Sequence, residues 1–151
     1  MSSENQSTDL ITVVVVDDDP DFVSVLTDVF TAQSGFKVVK TFNSLAQFTK
    51  SVPKDNEEAQ TYLPDLLVLD VMAPKTANMG ESHLDGATVA TMLRNAGLKF
   101  AVLLLSSMKS HHFELYGHRK NWEFLRKTSR LSPAEIIKHA HIALAENRLT
   151  Q

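Results

Sequence analysis

Four short apolar segments of the chain each end on a side chain able to do chemistry. Val13–Val16 is followed by Asp17-Asp18-Asp19, Leu66–Leu69 by Asp70, Phe100–Leu105 by Ser106-Ser107, and Trp122–Leu125, after Arg126, by Lys127. Carboxylates brought close together repel, and burying them unpaired is costly, so a site holding several of them favours a cation. Hard oxygen donors with neither Cys nor His at the segment ends favour Mg2+, which takes one or two carboxylates, waters and a phosphate oxygen. An Asp, a metal, a hydroxyl and a Lys are what phosphoryl transfer to a carboxylate requires. The cations neutralise charge on the equatorial oxygens, the hydroxyl hydrogen-bonds one of them, and the Asp is the nucleophile. A single Asp in such a place also serves as a helix cap or turn former; the ordered set is what carries the chemical reading.

For these groups to meet, the apolar segments must be adjacent strands. Ile11–Val16, Phe36–Phe42, Leu66–Leu69, Phe100–Leu105 and the shorter Trp122–Leu125 are nearly continuous apolar runs, the pattern of strands covered on both faces in a parallel sheet. Between them the period becomes helical: Phe22, Leu26 and Val29/Phe30 after Asp19; Leu45 and Phe48 after Ser44; Ala87, Ala90 and Leu93 up to Gly97. The last helix opens Ser132-Pro133-Ala134-Glu135, a cap, a first-turn proline and a capping-box Glu, and continues with Ile136/Ile137, Ala140 and Leu144. Lys109–Asn121 has no clear stripe and predicts a short or irregular helix. Alternating strands and helices predict a doubly wound α/β domain, in which ligands gather at the carboxyl ends of the strands.

At 151 residues the chain suits one domain, with residues 1–9 a disordered tail and 10–151 the folded unit. The absence of cysteine excludes disulfide scaffolds, thiolate zinc sites, iron–sulfur clusters and a Cys nucleophile. No apolar run approaches the roughly 18 residues of a membrane span, and the polar N-terminus is no signal peptide, so a cytoplasmic location is expected. Net charge is −3, but residues 1–108 carry 7 basic and 14 acidic side chains and residues 109–151 carry 8 and 4. The basic end is too sparse to argue for nucleic-acid binding and reads as a solvated helical surface. Among the six histidines, neither His111-His112 nor His139/His141 shares a helical face, so surface positions are expected rather than metal ligation.

The set Val-Val-Val-Val-Asp17-Asp18-Asp19-Pro20, Leu-Leu-Val-Leu-Asp70-Val-Met-Ala-Pro74, Leu-Asp85-Gly86, Val-Leu-Leu-Leu-Ser106-Ser107 and Phe124-Leu-Arg-Lys127 resembles the receiver domain of bacterial two-component response regulators over about residues 10–149. The resemblance implies a (βα)5 flavodoxin-like receiver fold with a five-stranded parallel sheet in the order 2-1-3-4-5. It implies Asp70 as the phospho-acceptor, served by a sensor histidine kinase or histidine phosphotransfer protein. Asp17, Asp18, Asp70 and the backbone carbonyl of Met72 would hold Mg2+. Ser106 would be the hydroxyl that moves toward the phosphoryl group, Lys127 its cationic partner and Phe124 the aromatic switch, with Asp19 starting the first helix. Such a domain catalyses only its own phosphorylation and dephosphorylation, and a homodimer through the last two helices and the fifth strand is a further implied contact. Nothing follows the last helix, which fits either a single-domain regulator or a receiver cut from a longer protein.

Three departures from the family pattern stand out. Asp70 and Gly86 are 16 positions apart, about twice the family's spacing, so 73–84 reads as a loop insertion centred on Lys75–His83, which gates access to the site, contacts a particular kinase or is a tolerated surface loop. Thr128 stands where a proline is usual, and Lys109–Asn121 replaces a regular helix of the output surface. Two other classes compete. A receiver fold serving as a phosphorylation-independent adaptor is one. The other is a haloacid-dehalogenase-like phosphatase opening on Asp17-Asp18-Asp19, in which Pro20 replaces the usual Thr or Val and Asp70 has no role. Phosphate-binding and dinucleotide glycine motifs are absent.

Overall fold

The computed structural model describes residues 10–71, 86–106, 122–128 and 130–149. The N-terminal tail, Met72, the 73–84 insertion, Asp85, Ser107 and Lys109–Asn121 lie outside the described residues. Five strands, β1 (Ile11–Val16), β2 (Phe36–Phe42), β3 (Leu66–Asp70), β4 (Ala101–Ser106) and β5 (Glu123–Arg126), form one sheet in the order β2-β1-β3-β4-β5, all pairs parallel. The described helices are α1 (Pro20–Ala32), α2 (Leu45–Ser51), α3 (Asn56–Tyr62), α4 (Gly86–Asn95) and α5 (Pro133–Leu149). The sheet order expected from the sequence is the observed one.

The strands alternate between two apolar layers. Val13, Val15, Leu66, Val68, Leu103 and Leu125 pack with α1 and α5, whereas Val14, Val16, Leu67, Leu69, Val102 and Leu104 pack with α2, α3 and α4. Both rows of β1, β3 and β4 are therefore buried, which is why these strands read as continuous apolar runs. At the β2 edge the register slips between Val13 and Val14, which leaves Val39 as an extra, exposed residue flanked by exposed Lys37 and Lys40. A bulge and charges blunt the edge against further strand pairing.

Helix ends follow their local chemistry. Asp19 caps α1 through the Asp21 and Phe22 N–H groups, Ser44 caps α2 and Asp55 caps α3. Ser132 and Glu135 make the reciprocal capping box ahead of α5. Gly97, at φ 92°, ends α4: its N–H donates to the Arg94 carbonyl, and the Leu98 N–H reaches back to Leu93. The crossover from β2 to β3 carries two helices: Asp55 caps the second, α3, which buries its own Ala59 against the layer of α2 and α4.

Candidate functional site

The carboxyl ends of β1, β3, β4 and β5 converge on one rim. Asp17 and Asp70 continue the β1 and β3 rows that face α1 and α5; Ser106 continues the β4 row on the opposite, α4 side. All three are buried polar residues, Asp17 and Ser106 at 0% exposure and Asp70 at 5%. Asp18 is exposed.

Lys127 joins the two buried acids. Its Nζ donates to Asp17 Oδ2 at 2.8 Å and to Asp70 Oδ2 at 2.9 Å. Its backbone N–H donates to the Ser106 carbonyl at 2.8 Å, continuing the β4–β5 pairing one residue past the strand. Burial pushes the Asp17 carboxyl up to about 6, and the negative charge of Asp70 acts in the same direction; the bonds from Lys127 and from the Asp19 N–H pull against it without prevailing. For Lys127, burial pulls downward, but the two carboxylates together outweigh it and hold the ammonium above the ordinary lysine value. The cation is thus secured in its charged form, and one of its acids sits in a place that resists charge.

The oxygens fit a hard cation. Asp17, Asp18 and Asp70 each offer a carboxylate oxygen, all within 4.8 Å of one another. An octahedral Mg2+ with bonds of about 2.0–2.1 Å sets its ligand oxygens about 3–4 Å apart, close to the separation of these three carboxylates.

The remaining predicted residues fall around this centre. Phe124, opposite Leu104 in the β4–β5 register, is half-buried against the α4-side layer. Thr128 shapes its turn without a proline: its Oγ accepts the Arg130 N–H at 3.3 Å and its carbonyl accepts the Leu131 N–H at 3.3 Å. The surface reading holds only in part for His139, which is partly buried with its ring Nδ1 in a hydrogen bond with Glu123 Oε2 of β5. His141 is exposed, its ring 5.4 Å from that of Phe36.

Two contacts at the site carry no sequence signature of their own. A Cβ on Gly86 would stand 3.0 Å from the Asp70 carbonyl oxygen and 3.2 Å from Leu69 Cβ, so a larger residue here would press the start of α4 away from the Asp70 backbone by a few tenths of an ångström. Its N–H donates to the Val71 carbonyl at 3.1 Å. Phe22, which reads as one member of an apolar helical stripe, also places its ring 4.9 Å from Lys127 Nζ.

The family model described as the response regulator receiver domain matches residues 13–140. The alkaline phosphatase synthesis transcriptional regulatory protein PhoP of Bacillus subtilis (strain 168) is 33% identical over 110 residues, 68% of this chain and 35% of that protein. The chain therefore spans about a third of the length of this curated relative. Among solved structures, the signal receiver domain of the putative response regulator NarL from Mycobacterium tuberculosis superposes with a TM-score of 0.69 at 25% identity, covering 91% of this chain and 98% of that one. A CheY-like response regulator receiver domain protein from Methanospirillum hungatei JF-1 gives a TM-score of 0.64 at 12% identity, covering 94% and 99%, a likeness of fold.

Proposed function

The chain belongs to the response regulator receiver domain family of two-component systems, and on that premise we propose that it is a phospho-acceptor switch whose reacting group is Asp70. The phosphoryl donor is a sensor histidine kinase or a histidine phosphotransfer protein. An Asp70 carboxylate oxygen attacks phosphorus, the phosphorus–nitrogen bond of the donor's phosphohistidine breaks, and the electron pair leaves with the imidazole. Asp17, Asp18 and Asp70, with the Met72 carbonyl that the family resemblance implies, would hold Mg2+, which would supply charge neutralisation at the phosphoryl oxygens. Lys127 supplies a second positive charge, and Ser106 a hydroxyl donor. Reversal by water returns the free carboxylate, so the domain acts on itself and is a switch rather than an enzyme with turnover.

The observation that supports this reading most is the pairing of one ammonium with two buried carboxylates from different strands. A phosphoryl group on Asp70 changes the charge that Lys127 must answer, and a shift of Ser106 and Phe124 passes that change to the α4 side of the sheet and to β5. Output lies with whatever this surface contacts: a second copy through β5 and the last helices, or further domains. The working place is the cytoplasm; no described helix is long and apolar enough to cross a membrane.

The test is incubation with Mg2+ and a small-molecule phosphodonor, followed by intact mass. One phosphoryl group is expected on the wild type, and none after chelation or in Asp70→Asn. A wild type left unmodified by the small donor and by its kinase would establish the adaptor reading instead. Sustained phosphate-ester hydrolysis surviving Asp70→Asn would establish a phosphatase.

A further inference from the structure

Four contacts close a circuit around the end of β1. Asp17 Oδ1 accepts the Asp19 N–H at 2.9 Å. Asp19 in turn caps α1, accepting the Asp21 N–H at 3.0 Å and the Phe22 N–H at 3.4 Å. The ring of Phe22 lies 4.9 Å from Lys127 Nζ, and that same Nζ donates to Asp17 Oδ2 at 2.8 Å. Phe22 is half-buried and packs against the α1/α5 layer.

The geometry points to Phe22 as a positioning residue for Lys127: its aromatic face keeps the ammonium at the rim when the carboxylates of Asp17 and Asp70 are drawn into other bonds, and so sustains phosphoryl uptake at Asp70. This inference rests on the phospho-acceptor reading above. A carboxylate that forms a bond to phosphorus, or turns toward a divalent cation, gives up an oxygen that had been holding Lys127. An ammonium on a flexible four-carbon stem then gains by swinging into water, where it is strongly hydrated. An aromatic face attracts a cation through its quadrupole and needs no lone pair, so it does not compete for the oxygens. An aliphatic side chain of similar size fills the space without supplying that attraction, which separates this role from simple packing.

The experiment measures phosphoryl incorporation from a small-molecule phosphodonor in Phe22→Leu, Phe22→Met, Phe22→Tyr, Lys127→Met and the Phe22→Leu/Lys127→Met double variant. The two aliphatic variants are expected to slow uptake roughly fivefold, and Phe22→Tyr to stay within about twofold of wild type. In the Lys127→Met background, Phe22→Leu is expected to cost nothing more. Independently of any phosphorylation, the Lys127 Cε protons are expected to be shifted upfield by the ring and to return toward ordinary values in Phe22→Leu and Phe22→Met. Wild-type rates in both aliphatic variants, equal losses in Phe22→Tyr and Phe22→Leu, or unmoved Lys127 resonances would each overturn the proposal. If wild type takes up no phosphoryl group at all, the phospho-acceptor reading falls, while the resonances still decide whether the ring holds the cation.

Discussion

At the amino-terminal rim of the sheet, one carboxylate oxygen of Asp65 accepts the Thr12 N–H at 2.9 Å and the Thr12 hydroxyl at 3.2 Å, while the Asp65 N–H donates to that hydroxyl at 2.9 Å. Its carbonyl takes the Ala101 N–H at 2.9 Å, so one exposed residue stitches β1, β3 and β4. Beside it, the Gln60 amide on α3 gives and takes a hydrogen bond with the Lys99 backbone, and Asn56 reaches the Ala96 carbonyl. At the carboxyl-terminal rim, Asp17 and Asp70 are buried and share a side-chain cation on their Oδ2 atoms, while Asp17 Oδ1 takes the Asp19 N–H. The same residue type at opposite strand ends thus serves opposite purposes. Main-chain partners cannot leave, so the acid of the first rim is a fastener. A lysine head group can be replaced by another cation, so the acids of the second rim are held ready.

The difference is testable in both directions. Its largest expression is in chemistry: Asp70→Asn is expected to abolish phosphoryl incorporation, whereas Asp65→Asn is expected to leave its rate unchanged, both read by intact mass. In stability the order reverses. Asp65→Ala removes the bonds to Thr12 and is expected to lower unfolding free energy by about 2 kcal/mol, measured by urea denaturation. Asp17→Asn is expected to raise it by about 1 kcal/mol at pH 7 without divalent cations, because the folded state holds that carboxyl where charge is disfavoured.

The sign of the pH dependence follows from the same displacement. With the Asp17 carboxyl at about 6 in the folded chain against its ordinary 3.8, the native state binds more protons between those values. Stability contributed by Asp17 is therefore present below about pH 4 and declines until about pH 6. The gap between Asp17→Asn and wild type is expected to open across that window and stay level above it; a gap constant from pH 4 to 7 would show the carboxyl to be unperturbed. Lys127 adds nothing to this slope, since its raised value keeps it charged throughout. The smallest effect is reserved for Gln60→Ala, which frees α3 from Lys99 in a solvated setting. A loss of about 0.5 kcal/mol is expected, with phosphoryl uptake unchanged. A Gln60 effect on uptake would mean that the two rims communicate through α4.

Much of this was legible from local pattern. Buried strands read as unbroken apolar runs because Val13–Val16 and Leu66–Leu69 are covered on both sides. Caps at Asp19, Ser44 and Ser132 and the stop at Gly97 are set by interactions within a few residues, which spacing exposes. Asn56–Tyr62 carries little helical signal of its own, since a single buried Ala59 makes a faint stripe and the contacts that hold α3 reach some 40 positions along the chain.

By itself, then, the sequence determined which groups end each strand and the order in which they come: acid, acid, hydroxyl, cation. Those are properties of periodicity and local backbone chemistry, readable without knowing what lies across the fold. Only the tertiary structure decided that Asp17 would be fully buried and Asp18 exposed, though the two are neighbours of one type. It also decided that Gly86 would touch Asp70 and that Phe22 would lie under Lys127, contacts spanning 16 and 105 positions. Burial, charge pairing and ring–cation contact depend on distances between elements, and a one-dimensional pattern carries no distance.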